Sequence, residues 1–271
     1  MKWILFKSFL LMSVIIMMIM PFLYETKTQT DVSHIIIETK PIVIDVEQPL
    51  HDVDLPDFAK ISHIPTRKHE FFNFLKPAIA KENNRLKMLR IDVLALQATY
   101  SEWQMVSEKQ QALLNKLTAK YKVKSSLPIS VKITALLNKI DEIPQELVLV
   151  QAANESAWGS SRFARIGLNF FGMWCFKQGC GLVPQGRDSG LNHEVASFSS
   201  IDSMVGHYFH NINTHNAYNL FRSIREQLRD NDLTLSPQIL ATGLLPYSER
   251  GMDYIVEINA MMRHNQRYIK T

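Results

Sequence analysis

Between Glu82 and Leu127 the chain carries neither glycine nor proline, and no other stretch limits the possible folds as much. Charged and apolar residues alternate there at helical spacing. Leu86, Leu89, Val93, Leu96, Tyr100 and Trp103 keep a 3.5-residue repeat through nearly three heptads, Ser107 and Gln110 interrupt it, and Leu114 and Leu117 resume it. A long helix or a helix pair follows. The interruption favours a seam buried within the same chain over a self-associating coiled coil, and the oligomeric state is otherwise open. Pro128 to Ile140 reads as a further short helix, and Ile143-Pro144 as the turn that starts the next one.

That next helix carries the chemistry. In the stretch Glu146 to Trp174, Leu147, Val148, Val150, Ala152 and Ala153 form an apolar run, and Val148, Ala152 and Glu155 share one face. Gly159, Ser160 and Ser161 suit the end of the helix, so Glu155 sits in its last turn or two, near the negative end of the dipole. Burial, the dipole and nearby Trp158 favour a protonated carboxyl, the state a general acid needs at neutral pH. A capping or salt-bridging glutamate is the alternative.

With 271 residues, 46% hydrophobic and 21% charged, the chain suits one sizeable globular domain with appendages. A net charge of +4 fits contact with an acidic polymer or anionic surface, but without Lys/Arg runs it does not suggest a nucleic-acid partner. Zinc-ligand spacing, a P-loop and a dinucleotide fingerprint are all missing from the sequence. Lys2 and Lys7 flank or precede the uncharged run Ser8 to Tyr24, which reads as a secretion signal or membrane anchor. No A-x-A cleavage site follows, so the expectation is an uncleaved anchor in the inner membrane with the rest of the chain on the extracytoplasmic side of the cell envelope. A cleaved signal, and secretion, is the alternative. Prolines 41, 49, 56 and 65 make residues 26–67 an extended arm, which either spans up to roughly a hundred Å or wraps on the domain. The expected divisions are thus 1–25, 26–67, a helical part over 68–127 and a catalytic domain over 128–271.

The run Asn154-Glu155-Ser156-Ala157-Trp158-Gly159-Ser160-Ser161-Arg162-Phe163-Ala164, followed by Asn169-Phe170-Phe171-Gly172-Met173-Trp174, resembles the signature of the bacterial glucosaminidase family of flagellar and autolytic cell-wall hydrolases. Trp174-Cys175-Phe176, Asn211 to His215 and Leu55-Pro56-Asp57-Phe58 narrow the resemblance to the Bax-like proteins that carry this domain, over roughly residues 55–265. The resemblance implies a mostly α fold (α+β): a lysozyme-like helical core, with a small β-lobe roofing the cleft after the acid-bearing helix. It also implies that Glu155 is the catalytic acid, and that Tyr247, in a loose match to the family's late tyrosine block, faces the active site. Tyr254 is expected to pack, and Glu249 is a further acid nearby.

In the lobe, Trp174 and Phe176 are candidates to stack on sugar rings, with Asn169 and Asp188 as further substrate contacts and Phe170 and Phe171 as packing. For a second carboxylate the choice is Glu194 over Asp188; if it is remote, the substrate's own acetamido group is the nucleophile. Cys175 and Cys180, an even count in an extracytoplasmic setting, favour a disulfide over two free thiols. His207 and His210, with His215 beyond, lack a carboxylate in register and are expected to be exposed or to line the groove, so no metal is expected. Arg222 and Arg225 are expected to face solvent or an acidic substrate.

The expected activity is hydrolysis of the β-1,4 bond after N-acetylglucosamine in peptidoglycan strands, with no cofactor. Three alternatives remain: a muramidase or lytic transglycosylase, a glycoprotein-type endo-β-N-acetylglucosaminidase, and a non-catalytic glycan-binding scaffold.

Overall fold

The computed structural model describes residues 47–187 and 190–270. The expected membrane segment, the first part of the arm and Asp188 lie outside the described residues. Residues 47–271 form one compact unit, and among the described residues no helix is long and apolar enough to cross a membrane.

The fold is mostly helical, and helix α1 (Ile64–Trp103) is its spine. It begins well before the proline-free stretch. Pro65 lies in the first turn, where its missing N–H costs nothing, and Pro77 lies inside the helix. An internal proline costs about 3 kcal/mol; here Phe71, Phe72, Leu75, Ala78 and Ile79 flank it and are all buried, which offsets that loss. Helix α2 (Glu108–Lys120) follows after Gln104, whose left-handed backbone ends α1. The two residues that interrupt the heptad pattern turn out to form a capping box: the Ser107 hydroxyl accepts from the Gln110 N–H, and the Gln110 side chain accepts from the Ser107 N–H. Leu86, Val93 and Leu96 are buried in the same chain's core, whereas Trp103 at the end of the seam is 63% exposed.

Helices α3 (Ile129–Lys139), α4 (Gln145–Glu155), α6 (Ile201–Thr214) and α9 (Met252–Ile269) pack on α1, with α9 also lying along α4. Short α5 (Arg162–Gly167) leads into three small strands, β1 (Trp174–Cys175), β2 (Gly181–Leu182) and β3 (Glu194–Ala196). The central strand is β3, antiparallel to both neighbours, with Trp174 opposite Val195 and Leu182 opposite Val195 on the other side. Helix α7 (Asn219–Asp230), short α8 (Pro237–Ala241) capped by Ser236, and a 3₁₀ stretch over Thr242–Tyr247 complete the chain. One hydrophobic core runs from Phe58 to Ile269, so packing does not divide at residue 127.

The described part of the arm wraps on the domain. Leu50 N–H donates to the Ile166 carbonyl, Glu47 takes a two-pronged ion pair from Arg162, and Phe58 is buried.

Arg222 and Arg225 correct the sequence expectation, because both are 1% exposed. Arg222 donates to the carbonyls of Ile212 and His215, and Arg225 to those of Asn138 and Glu142 and to Asn213 Oδ1. The carbonyls that close helices α3 and α6 have no helical partner of their own, and the guanidinium forks satisfy them. Burial pulls Arg225 down to about 10, still far above neutrality, so its charge remains.

Candidate active site

Glu155 is the last residue of α4, and most of what precedes it is interior: Leu147 through Ala153 are each fully buried, and Asn154 is half-buried. The chain then reverses sharply. Ala157, Trp158 and Gly159 take φ of 50, 58 and 76°, three consecutive left-handed residues of which only the glycine adopts that region freely. The Ser156 hydroxyl pins the reversal, donating to the Ala152 carbonyl at 2.6 Å and accepting from the Gly159 N–H at 2.8 Å. A Cβ on Gly159 would lie 2.5 Å from Phe58, so the motif's glycine also makes room for the arm. Backbone strain of this kind is concentrated at functional sites, where surrounding packing holds it.

The Glu155 carboxyl is half-buried, and burial raises its pKa above the ordinary value. Hydrogen bonds from Tyr254 and Asn154 pull the other way, as does Arg250, while Glu257 pushes up. Arg250 and Glu257 are themselves paired at 2.7 Å, which leaves Glu155 no full counter-ion. Gly172, at φ +63°, stands beside it, and even a Cβ there would approach Glu155 Oε2 to 3.9 Å, so the space next to the carboxyl stays open.

Four tyrosines gather around the acid. Tyr247 stacks on Tyr254 at 5.7 Å and lies 6.5 Å from Tyr208 and 6.1 Å from Tyr218. Burial first, and the Glu155 charge after it, raises all four hydroxyls. Their roles differ from expectation: Tyr247 donates to the Phe171 carbonyl at 2.8 Å, whereas Tyr254, expected only to pack, hydrogen-bonds Glu155. Buried Gln151 links Tyr254 to Tyr208. Sequence reasoning missed this trio, although a glutamine inside an otherwise apolar helix was a usable signal, since a buried amide needs partners.

The lobe sorts the remaining candidates. Trp174 is 49% and Phe176 80% exposed, while Phe170 and Phe171 are buried. Asn169 is buried with its hydrogen-bonding capacity spent inward: Nδ2 donates to the Met173 and Ala196 carbonyls, and Oδ1 accepts from the Phe171 and Met173 N–H groups. It ties the loop to β3, which leaves nothing for a substrate. Glu194 is also buried, and its two oxygens accept from the Gly179 and Gly181 N–H groups at 2.9 and 2.8 Å. Those bonds hold its carboxyl below the usual range. In β3 register it lies opposite Cys175, under the Cys175–Cys180 disulfide, so its side chain anchors that loop. The two sulfurs and Glu194 lie within 4.8 Å of one another, but bonded sulfurs are no longer thiolate ligands for a metal.

His207 is exposed beside Phe198, and half-buried His210 lines a small cavity with Glu82, Arg85 and Tyr121. An open groove of about 470 Å³ runs between Asn154, Trp158, Glu257 and His264, and Glu155 itself is not part of its lining.

A helix-borne carboxyl whose pKa burial raises, with no full counter-ion, open space beside it and aromatic side chains around it, suits acid-assisted cleavage of a glycosidic bond. The chain belongs to the glucosaminidase family: residues 131–267 match the family model described as mannosyl-glycoprotein endo-beta-N-acetylglucosaminidase. It is 35% identical over 216 residues to Protein bax of Escherichia coli (strain K12), an alignment covering 79% of this chain and 76% of that one. No solved structure matches it. The protein is a Bax-like member of this family and a glycosidase.

Proposed function

We propose that the protein is a peptidoglycan hydrolase that cuts the β-1,4 bond after N-acetylglucosamine, with a lysozyme-like division between a helical core bearing Glu155 and a small lobe bearing Trp174 and Phe176. The observation that carries this reading is the raised pKa of a half-buried Glu155 surrounded by tyrosines. Exposed Trp174 and Phe176 supply faces for sugar rings. Glu155 protonates the leaving oxygen as the glycosidic bond breaks.

Because the Glu194 oxygens are committed to the lobe's own backbone, the nucleophile is the substrate's acetamido oxygen, which closes on the anomeric carbon and gives an oxazolinium ion that keeps the amide N–H. Water then opens that ring, and Glu155, now a carboxylate, takes the water's proton. The chain acts in the cell envelope, held at the inner membrane through residues 1–25; the disulfide supports an oxidising, extracytoplasmic location.

The test is to incubate the full-length chain with purified peptidoglycan and identify the new ends by mass spectrometry. Reducing N-acetylglucosamine ends are expected, falling by roughly 10²-fold or more in Glu155→Gln. Reducing muramic acid or anhydro ends would make it a muramidase or lytic transglycosylase. Cleavage of a high-mannose glycopeptide in place of peptidoglycan would support the substrate named in the family's description.

A further inference from the structure

Behind Glu155 runs a buried chain of side chains that the steps above do not use. The Tyr208 hydroxyl donates to Gln151 Oε1, Gln151 Nε2 donates to the Tyr254 hydroxyl oxygen at 2.9 Å, and the Tyr254 hydroxyl reaches the Glu155 carboxyl. Tyr208 and Gln151 are 0% and Tyr254 1% exposed. A primary amide has two ends of opposite sense, since its oxygen only accepts and its nitrogen only donates. With the amide oxygen on Tyr208 and the nitrogen on Tyr254, the Tyr254 oxygen is already taken as an acceptor. Its own proton must then go forward, to Glu155. Were the amide turned over, Tyr254 would donate back to Gln151 and accept from a protonated Glu155. The first sense favours the carboxylate, the second the carboxylic acid.

We propose that Gln151, oriented by Tyr208, is a positioning residue that fixes Tyr254 as a donor to Glu155 and thereby stabilises the carboxylate formed when the acid gives its proton to the leaving oxygen. The role presupposes Glu155 as the acid. Burial raises the acid's pKa and so penalises the charge left after reaction; a donor already aimed at that charge offsets the penalty without reorganisation. Tyr208 is held rigidly enough to set the sense of the chain, stacked on Phe171 at 3.9 Å and edge-on to Phe209. Asn154 gives the carboxyl a second hydrogen bond, and the remaining groups facing Glu155 do not take over this task. Arg250 and Glu257 neutralise one another, the Tyr247 proton goes to the Phe171 carbonyl, and Tyr218 is tied to Asn211.

The deciding measurement is the pH profile of peptidoglycan cleavage by the full-length enzyme, whose alkaline limb reports the acid. Losing the donor raises the acid's pKa, so in Tyr254→Phe the limb moves up by about one pH unit and kcat falls about tenfold. Tyr208→Phe touches neither Glu155 nor substrate. It frees the amide to turn over, so its limb moves in the same direction by a smaller amount, with the near-ultraviolet dichroism of the folded chain retained. A purely structural Tyr208 would lower the amount of folded enzyme and leave the limb where it was. A limb that stays put in folded Tyr208→Phe overturns the proposal, and so does one that stays put in Tyr254→Phe; should Tyr254→Phe not fold, Tyr208→Phe decides alone. Full turnover by Glu155→Gln would instead remove the assignment of the acid on which the relay depends.

Discussion

Two carboxylates flank helix α4, and they are governed by the same physics with opposite results. Asp141, just before the helix, is 2% exposed and surrounded by Arg229, Arg90 and Arg225 at 2.8, 3.4 and 3.9 Å. Burial pushes its pKa up, but the arginines outweigh burial and the net shift is downward. Glu155, at the far end, is less buried, yet its pKa is raised, because its nearest partners are neutral tyrosine and asparagine side chains. Depth alone therefore does not decide the direction of the shift here. Whether a full positive charge stands within reach does, and the fold supplies it at the Asp141 end of the helix and withholds it at the Glu155 end.

The largest effect expected from breaking this contrast is at the structural end. Asp141→Asn leaves buried Arg225, with Arg90 and Arg229 beside it, without their shared carboxylate, and removing one partner of a buried ion pair costs about 3–5 kcal/mol. Urea unfolding would show this loss, and a change under about 1 kcal/mol would mean the cluster is wetter than its burial indicates.

The two acids also oppose each other in pH. Asp141, with a lowered folded pKa, contributes stability that is complete above the unfolded carboxylate range near pH 4 and is lost as pH falls through its folded value. Glu155, with a raised folded pKa, contributes stability present below that range and lost as pH rises through its folded value. Glu155→Gln should therefore unfold at slightly higher temperature than wild type, by roughly 1 kcal/mol or less, with the gap widening from pH 5 to pH 8 while activity disappears. An equal gap at both pH values would detach the raised pKa from stability.

The smallest test gives Glu155 what Asp141 has. Glu257→Gln releases Arg250 from its 2.7 Å pair, so the alkaline limb of activity should move down by about a few tenths of a pH unit, small because Arg250 is half exposed. No movement would place the influence of Arg250 below the screening of solvent.

What could be read from the sequence follows how local each cause is. The helix ending at Glu155 and the Ser236 cap depend on neighbours within a few positions and stand where the pattern put them, whereas the helix pair expected from residue 82 begins already at Ile64. The capping box Ser107–Gln110 was equally local but was read as a fault in a heptad repeat. Tyr254 and Gln151 lie 103 positions apart, and no periodicity could pair them. Glu194 depended on which loop faces one strand position, and Arg222 and Arg225 looked like a polar helix face because helical spacing cannot tell solvent from a ring of unpaired carbonyls.

The contact between Phe58 and Gly159 separates what is inherited from what folds. The stretch shared across the family runs from 131 to 267, but the turn behind its acid is closed by Phe58, Phe71 and Phe72, the last two packed edge-on against Trp158. A chain cut down to the matched stretch would keep Glu155, its tyrosines, Trp174 and Phe176 and lose the wall that holds the turn, so the boundaries drawn by kinship would yield a fragment with the site's side chains and without its shape.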